Sequence, residues 1–124
     1  MNMQILNQPK ERMRDIRIER NGRITLRARP CSALALQQGC KIVFCMLGGQ
    51  MYLFSDNNHE AGLAVSGRNK QLHVCSVATA KALLAQVRNA PKDAPYVELI
   101  ASPHVREISV GNKPHQAIAI INVL

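Results

Sequence analysis

The ten residues "RNGRITLRAR", Arg20–Arg29, decide how the first part of the chain folds. Upstream of them Ile16 and Ile18 alternate with Arg17 and Glu19, and downstream Ile24 and Leu26 resume the alternation. A period of two sends successive side chains to opposite faces of a strand. Asn21-Gly22, between the two runs, tolerates positive φ, so the stretch predicts a β-hairpin with a two-residue turn. One face of that hairpin carries Ile24 and Leu26, and Arg23, Thr25, Arg27 and Arg29 project from the other.

Outward from the hairpin the pattern stays mainly β. Residues 1–13 have no apolar period and contain Pro9, amides and charges, which predicts a flexible arm. After the hairpin, "PCSALAL" starts with Pro30, suited to a first helical turn, and Gly39 closes a one- to two-turn helix. "KIVFCMLGGQMYLFS" reads as strand, Gly48-Gly49 turn, strand, with Ile42, Phe44 and Met46 on one face. Asp56–Gly62 is a polar loop or lobe boundary, and "GLAVS" and "QLHVCS" predict a third hairpin around Gly67, Arg68, Asn69 and Lys70. Ser76 caps a predicted helix to about Arg88 that presents Val77, Ala80, Leu84 and Val87 on one side. Beyond a linker marked by Pro91 and Pro95, "YVELIAS", "VREISV" and "QAIAIINVL" read as three strands, separated by Pro103 and by the turn cluster Gly111–Pro114. "ITLRARPCSALAL" and "LHVCSVATAKALL" echo each other as strand, small-residue step and leucine-rich helix, which is either a duplicated unit or coincidence.

Composition narrows the class. The 124 residues suit one domain, and with 47% hydrophobic but only 3% aromatic side chains the core must come from Leu, Ile, Val and Ala. The expected organisation is a unit over 14–56 and a C-terminal β-α-β lobe over 62–124 packed with it as one domain. A net charge of +8 makes polyanions the natural partners. The excess is local, because Met1–Pro30 holds Lys10, Arg12, Arg14, Arg17, Arg20, Arg23, Arg27 and Arg29 against Glu11, Asp15 and Glu19.

Chemistry-bearing motifs are sparse. Cys31, Cys40, Cys45 and Cys75 form no C-x2-C pair and His59, His73, His104 and His115 stand singly, so neither a metal nor a cofactor is expected. No nucleophile elbow, zinc-protease helix or phosphate loop is present, and Glu60, Asp93, Glu98 and Glu107 suggest no carboxylate pair, so the expectation is a protein that is not an enzyme. No apolar run nears the ~20 residues of a membrane helix, and reduced thiols with no secretory pattern point to the cytoplasm.

The run Gly22–Phe44, "GRITLRARPCSALALQQGCKIVF", resembles the swapped-hairpin DNA-binding domain of AbrB-like transition-state regulators and antitoxins. Gly22, Arg23, Ile24, Thr25 and Leu26 fit the family's strand, Leu34 and Leu36 its helix end, and Gly39, Lys41, Ile42 and Phe44 its turn and following strand. Arg27, Ala35 and Cys40 depart from a proline, a glycine and an acidic residue in the family pattern. The whole layout also resembles a family of small bacterial proteins for which no function is implied. The AbrB-like resemblance implies an α+β, mainly β fold: a small swapped-hairpin barrel with a short helix, plus a C-terminal strand-helix-hairpin lobe that is an added element or a pseudo-repeat. It further implies a homodimer whose two chains exchange hairpins, although the C-terminal half could supply the missing strands within one chain.

Two functions follow as expectations. In the first, the chain is a DNA-binding transcription regulator or antitoxin-like protein, in which Arg14, Arg17, Arg20, Arg23, Arg27 and Arg29 on a β-ribbon meet double-stranded DNA and the C-terminal lobe meets a protein partner. The second is a protein-interaction module on an AbrB-like barrel, with the arginines as a solvated face on which Arg17 and Arg20 pair with Asp15 and Glu19.

Overall fold

The computed structural model describes residues 3–4, 14–68, 70–87, 90 and 92–121. In chain order the elements are β1 (Ile16–Glu19), β2 (Arg23–Leu26), α1 (Ala28–Ala33), β3 (Lys41–Leu47), β4 (Gln50–Ser55), β5 (Leu63–Ala64), β6 (Ser66–Arg68), β7 (Gln71–Cys75), α2 (Val77–Gln86), β8 (Tyr96–Val110) and β9 (Lys113–Ile121). The arm expected over 1–13 lies outside the described residues except for Met3 and Gln4, and the expected helix end at Arg88 lies outside them too.

All pairings are antiparallel and the nine strands run β5-β3-β4-β9-β8-β1-β2-β7-β6. The two ends of that list are one stretch of chain, since only Val65 separates β5 from β6. β5 pairs with β3, β6 pairs with β7, and between them Val65 accepts from Gly39 N at 2.9 Å and donates to Cys40 O at 2.9 Å. The sheet is therefore a nearly closed barrel, with α1 and α2 as its two helices. β1 plays the matching role on the other side, pairing with β2 and β8.

These pairings have an internal two-fold pattern. Exchanging β1 with β5–β6, β2 with β7, β3 with β8 and β4 with β9 returns the same set of neighbours. The axis passes through the Thr25↔His73 pair of β2 and β7. At the offset this pair defines, Arg20 matches Arg68, Ile24 matches Leu72 and Leu36 matches Leu84, which is the register of the sequence echo. The echo is therefore a structural repeat of hairpin, helix, hairpin, and α1 and α2 are its equivalent helices.

Alternation fills the barrel. Ile16, Ile18, Ile24 and Leu26 are wholly buried, and Leu72, Val74, Val97 and Leu99 join them. Ile42, Met51, Leu53, Ile118 and Ile120 complete a main core whose buried members include no aromatic ring. Each large aliphatic side chain removed from water contributes about 1.5–3 kcal/mol, so aliphatic burial alone can carry a core of this size. Tyr52 and Phe54, with Ile108 and Ala117, form a second cluster.

Several local expectations change. Only Gly22 of the first turn has positive φ, at 108°, and its N–H donates to Glu19 O, so Arg20–Gly22 is a three-residue connection. Gly48-Gly49, with φ of 59° and 79°, forms the two-residue turn the sequence indicates. Helix α1 begins before Pro30, at Ala28, which removes Arg29 from the strand face. In α2, capped by Ser76 through Thr79 N at 3.2 Å, Ala80 and Leu83 are buried and Val77 is exposed, so the inward face is rotated from the expected one. "YVELIAS" and "VREISV" are one strand: β8 passes Pro103 through an irregularity between Ala101 and Val105, where a missing N–H costs no regular ladder bond.

Gly22 also sets how closely the second half approaches the first. Its carbonyl accepts from Ser76 N at 2.8 Å, and a Cβ there would lie 2.9 Å from both Val77 Cγ2 and Val77 N. Gly22→Ala combines a left-handed backbone with this clash and should destabilise the fold by roughly 1–3 kcal/mol in urea unfolding. A loss under ~0.5 kcal/mol would contradict the close approach.

Candidate nucleic-acid interface

The side chains that do not enter the core define the outer face of β8-β1-β2-β7-β6. Register sets them in rows: Ser66, His73, Thr25, Arg17 and Glu98 lie across the sheet, with Cys75, Arg23, Glu19 and Tyr96 toward one end. Arg17, Arg23 and Arg27 thus share the outward face, Arg20 stands in the first turn, Arg29 sits in α1, and Arg14 is exposed just before β1. Thr25, expected to project outward with them, is buried.

The arginines are held in specific ways. Arg27 Nη1 donates to Glu98 Oε2 and to Arg14 O, both at 2.7 Å, an ion pair that is mostly buried. Arg29 Nε lies 3.7 Å from Asp15 Oδ1, and the other oxygen of that buried carboxylate accepts from Ala101 N at 2.8 Å. Arg23 approaches Glu19 only to 4.0 Å and stays half-exposed. The guanidinium of Arg17 sits 3.6 Å from the centre of the Tyr96 ring; its Nε is buried with no hydrogen-bond partner among the described residues. A cation on an aromatic face recovers part of that cost. Arg20 Nε donates to Ala94 O. Asp15 and Glu19 thus pair with Arg29 and Arg23, where the sequence suggested Arg17 and Arg20.

The fold adds cations that sequence reasoning left out. Arg68 and Lys70 belong to the β6–β7 hairpin, the repeat partner of β1–β2, and Lys70 has positive φ where its equivalent is Gly22. Arg27, Arg29, Lys70, Ser32, Gln71 and Asp15 line one surface depression of about 590 Å3. Cations from both repeats therefore meet there. The shared Arg-Asn dipeptide at both tips, "RNG" and "RNK", was the available signal. Over the face and its two tips, Arg14, Arg17, Arg20, Arg23, Arg27, Arg29, Arg68 and Lys70 outnumber the carboxylates Asp15, Glu19 and Glu98.

A second polar group lies away from this face. His115 has Nε2 3.1 Å from Asp56 Oδ2 and Nδ1 3.1 Å from Lys113 O, and its ring centre is 4.3 Å from that of Phe54. Both ring nitrogens are thereby engaged, and Ser55, which with Asp56 and His115 lines a second depression beside α1, directs its hydroxyl to Lys41 O. Burial pushes the Cys31 and Cys45 thiols above their ordinary 9.0, and no cysteine is in a disulfide. No described helix is long and apolar enough to cross a membrane. Comparison with protein families, curated proteins and solved structures finds no match for this chain.

The Asp56 carboxyl is held below its ordinary 3.8, first by the Asn58 N–H and then by His115. Because the fold favours the carboxylate, this contribution is complete above the ordinary value and is lost as pH falls through the lower folded one. Chemical unfolding at about pH 5 and about pH 3 should show the wild type losing more stability on acidification than Asp56→Asn. Equal losses would remove Asp56 from the acid response.

Proposed function

We propose that the outer face of β8-β1-β2-β7-β6 binds double-stranded DNA, and that the protein is a non-enzymatic DNA-binding regulator or antitoxin-like protein. The observation that carries this reading is the meeting of cations from both repeats on one face, with Arg27, Arg29 and Lys70 around one depression and a hairpin tip at either end. Arg20 lies level with Gly22, three residues from the axis pair, and Arg68 pairs with Gln71, two residues from it, so at ~3.3 Å per residue they stand roughly 17 Å apart along the strand direction. That span is about half of the roughly 34 Å of one duplex turn, so both tips can reach phosphates flanking a single groove.

The carboxylate pairs set different tasks for the arginines. Arg27, bonded to Glu98 and Arg14, orders the face, whereas the loose Arg23–Glu19 pair is worth at most about 1 kcal/mol and yields readily to a phosphate. Arg23, Arg29, Arg68 and Lys70 are the groups best suited to phosphate contact. On this reading the two halves of one chain stand where an AbrB-like dimer has two chains, and a second chain is not required to close the barrel. Two near-equivalent patches about an axis suit a site with approximate two-fold symmetry.

Fluorescence anisotropy on random duplex at about 50 and about 200 mM salt tests the proposal. Wild-type affinity should fall steeply with salt. The triple variant Arg23→Ala, Arg68→Ala, Lys70→Gly should weaken binding at least about tenfold and lower the salt slope by about three, while Lys41→Gln with Lys113→Gln changes little. Lys70→Gly also relieves a left-handed backbone, so the variant should remain folded. No binding at the lower salt, or equal losses in the two variants, would remove the DNA reading.

A further inference from the structure

The repeat gives every feature of one half an internal counterpart, and in one place the counterparts differ. Between α2 and the β3–β4 hairpin lies an apolar groove of about 380 Å3, with Ile42, Phe44, Met46, Ala78, Ala82 and Leu83 among its walls. The helix positions equivalent to Ala78 and Ala82 in the first repeat are Pro30 and Leu34. Pro30 is fully buried and Leu34 packs against the main core. Both helix–hairpin junctions are open at the surface, but the first repeat lines its depression with Ser55, Asp56, Lys113, His115 and Gln116 beside Leu34, whereas the second surrounds its groove with alanines and larger apolar side chains.

The strand beside this groove differs in the same sense. β3 pairs with β4 from Ile42 to Leu47, but on its other edge it pairs with β5 only at Lys41 and Ile42. Among the described residues nothing pairs with that edge from Val43 to Leu47, "VFCML". An open edge carries unpaired N–H and C=O groups that seek another strand, and edges that stay solitary are usually blunted by charge, proline or a bulge. The equivalent edge of β8 has all three: Pro103, the irregularity between Ala101 and Val105, and the charges Arg106 and Glu107. β3 has none of them, and no charge occurs between Lys41 and Asp56. Met46 and Leu47 are 43% and 44% exposed.

We infer that this edge is an interface between two copies of the chain, which pair β3 with β3 antiparallel across a two-fold axis near Cys45. A second copy is the occupant that fits, because a two-fold contact sets each edge residue against the same short segment, and this uncharged segment meets itself without repulsion. Side-chain parity places the partner's Phe44 and the partner's Met46 on the α2 side, over the apolar groove. The interface joins the β3-β4-β9-β8 section of one copy to that of its partner and leaves the cationic outer face of β8-β1-β2-β7-β6 uninvolved. It is independent of the DNA reading.

Sedimentation equilibrium under reducing conditions tests the inference, with three full-length proteins: wild type, Met46→Lys and Val105→Lys. Met46 and Val105 are both exposed apolar residues on open edges, so neither change should unfold the protein, which melting curves of the two variants check. The wild type and Val105→Lys should sediment near twice the 13.7 kDa chain mass, and Met46→Lys should dissociate at least about tenfold more readily. A wild type that remains monomeric at high concentration overturns the inference, including when its groove takes up an apolar dye, which would assign the groove to a foreign ligand. Equal weakening by the two lysines, or none by Met46→Lys, overturns it as well.

Discussion

Two backbone hydrogen bonds at Val65 join the ends of the sheet. One is accepted from Gly39 and one donated to Cys40, while the neighbouring residues of the same extended segment pair with β3 on one side and β7 on the other. Without that double pairing the β1-β2-β7-β6 and β3-β4-β9-β8 sections would meet only through β8, and the aliphatic side chains between them would face water at the open seam. Val65 itself is 1% exposed, directed into the core it closes. Because burial scales with area and this core has no large ring to spare, closing the seam matters more here than it would in an aromatic-rich barrel.

Closure also organises the charge. The Thr25↔His73 pair fixes the axis, and β2 and β7 then carry their hairpin tips in opposite directions. Cations from two segments far apart in the chain become neighbours, as Lys70 does with Arg27 and Arg29. The carboxylates on the face do not cancel this; they order it, and Glu98 holds Arg27 as Asp15 holds both Arg29 and the Ala101 amide. The open β3 edge belongs to the other section of the sheet, so the proposed association through it and the proposed DNA contact on the basic face do not compete for surface.

Much of the fold was legible locally. Alternation around Arg20–Gly22, the Gly48-Gly49 turn and the Ser76 cap each depend on residues within a few positions of one another, and each marks a real element. The long-range features were not. Segment 63–68 looks like one arm of a hairpin, and nothing in five or six residues tells that its first half belongs to a different partner from its second. Pro103 looked like a break because proline removes a ladder donor, yet at the irregularity between Ala101 and Val105 that donor has no regular partner to lose. At the site, six arginines could be named but not their anchors: Glu98 lies 71 residues from Arg27 in sequence. The repeat-related cations Arg68 and Lys70 were visible only through a weak echo whose meaning the strand pairing supplies.

Amide hydrogen exchange on the intact protein, followed residue by residue, tests closure most directly. The account predicts that the Val65 and Gly39 amides exchange as slowly as those of Ile18 and Ile24 and open with them in one cooperative unit. Exchange of Val65 and Gly39 at the rate of an exposed loop, with β1 and β2 still protected, would contradict it and leave the molecule an open sheet.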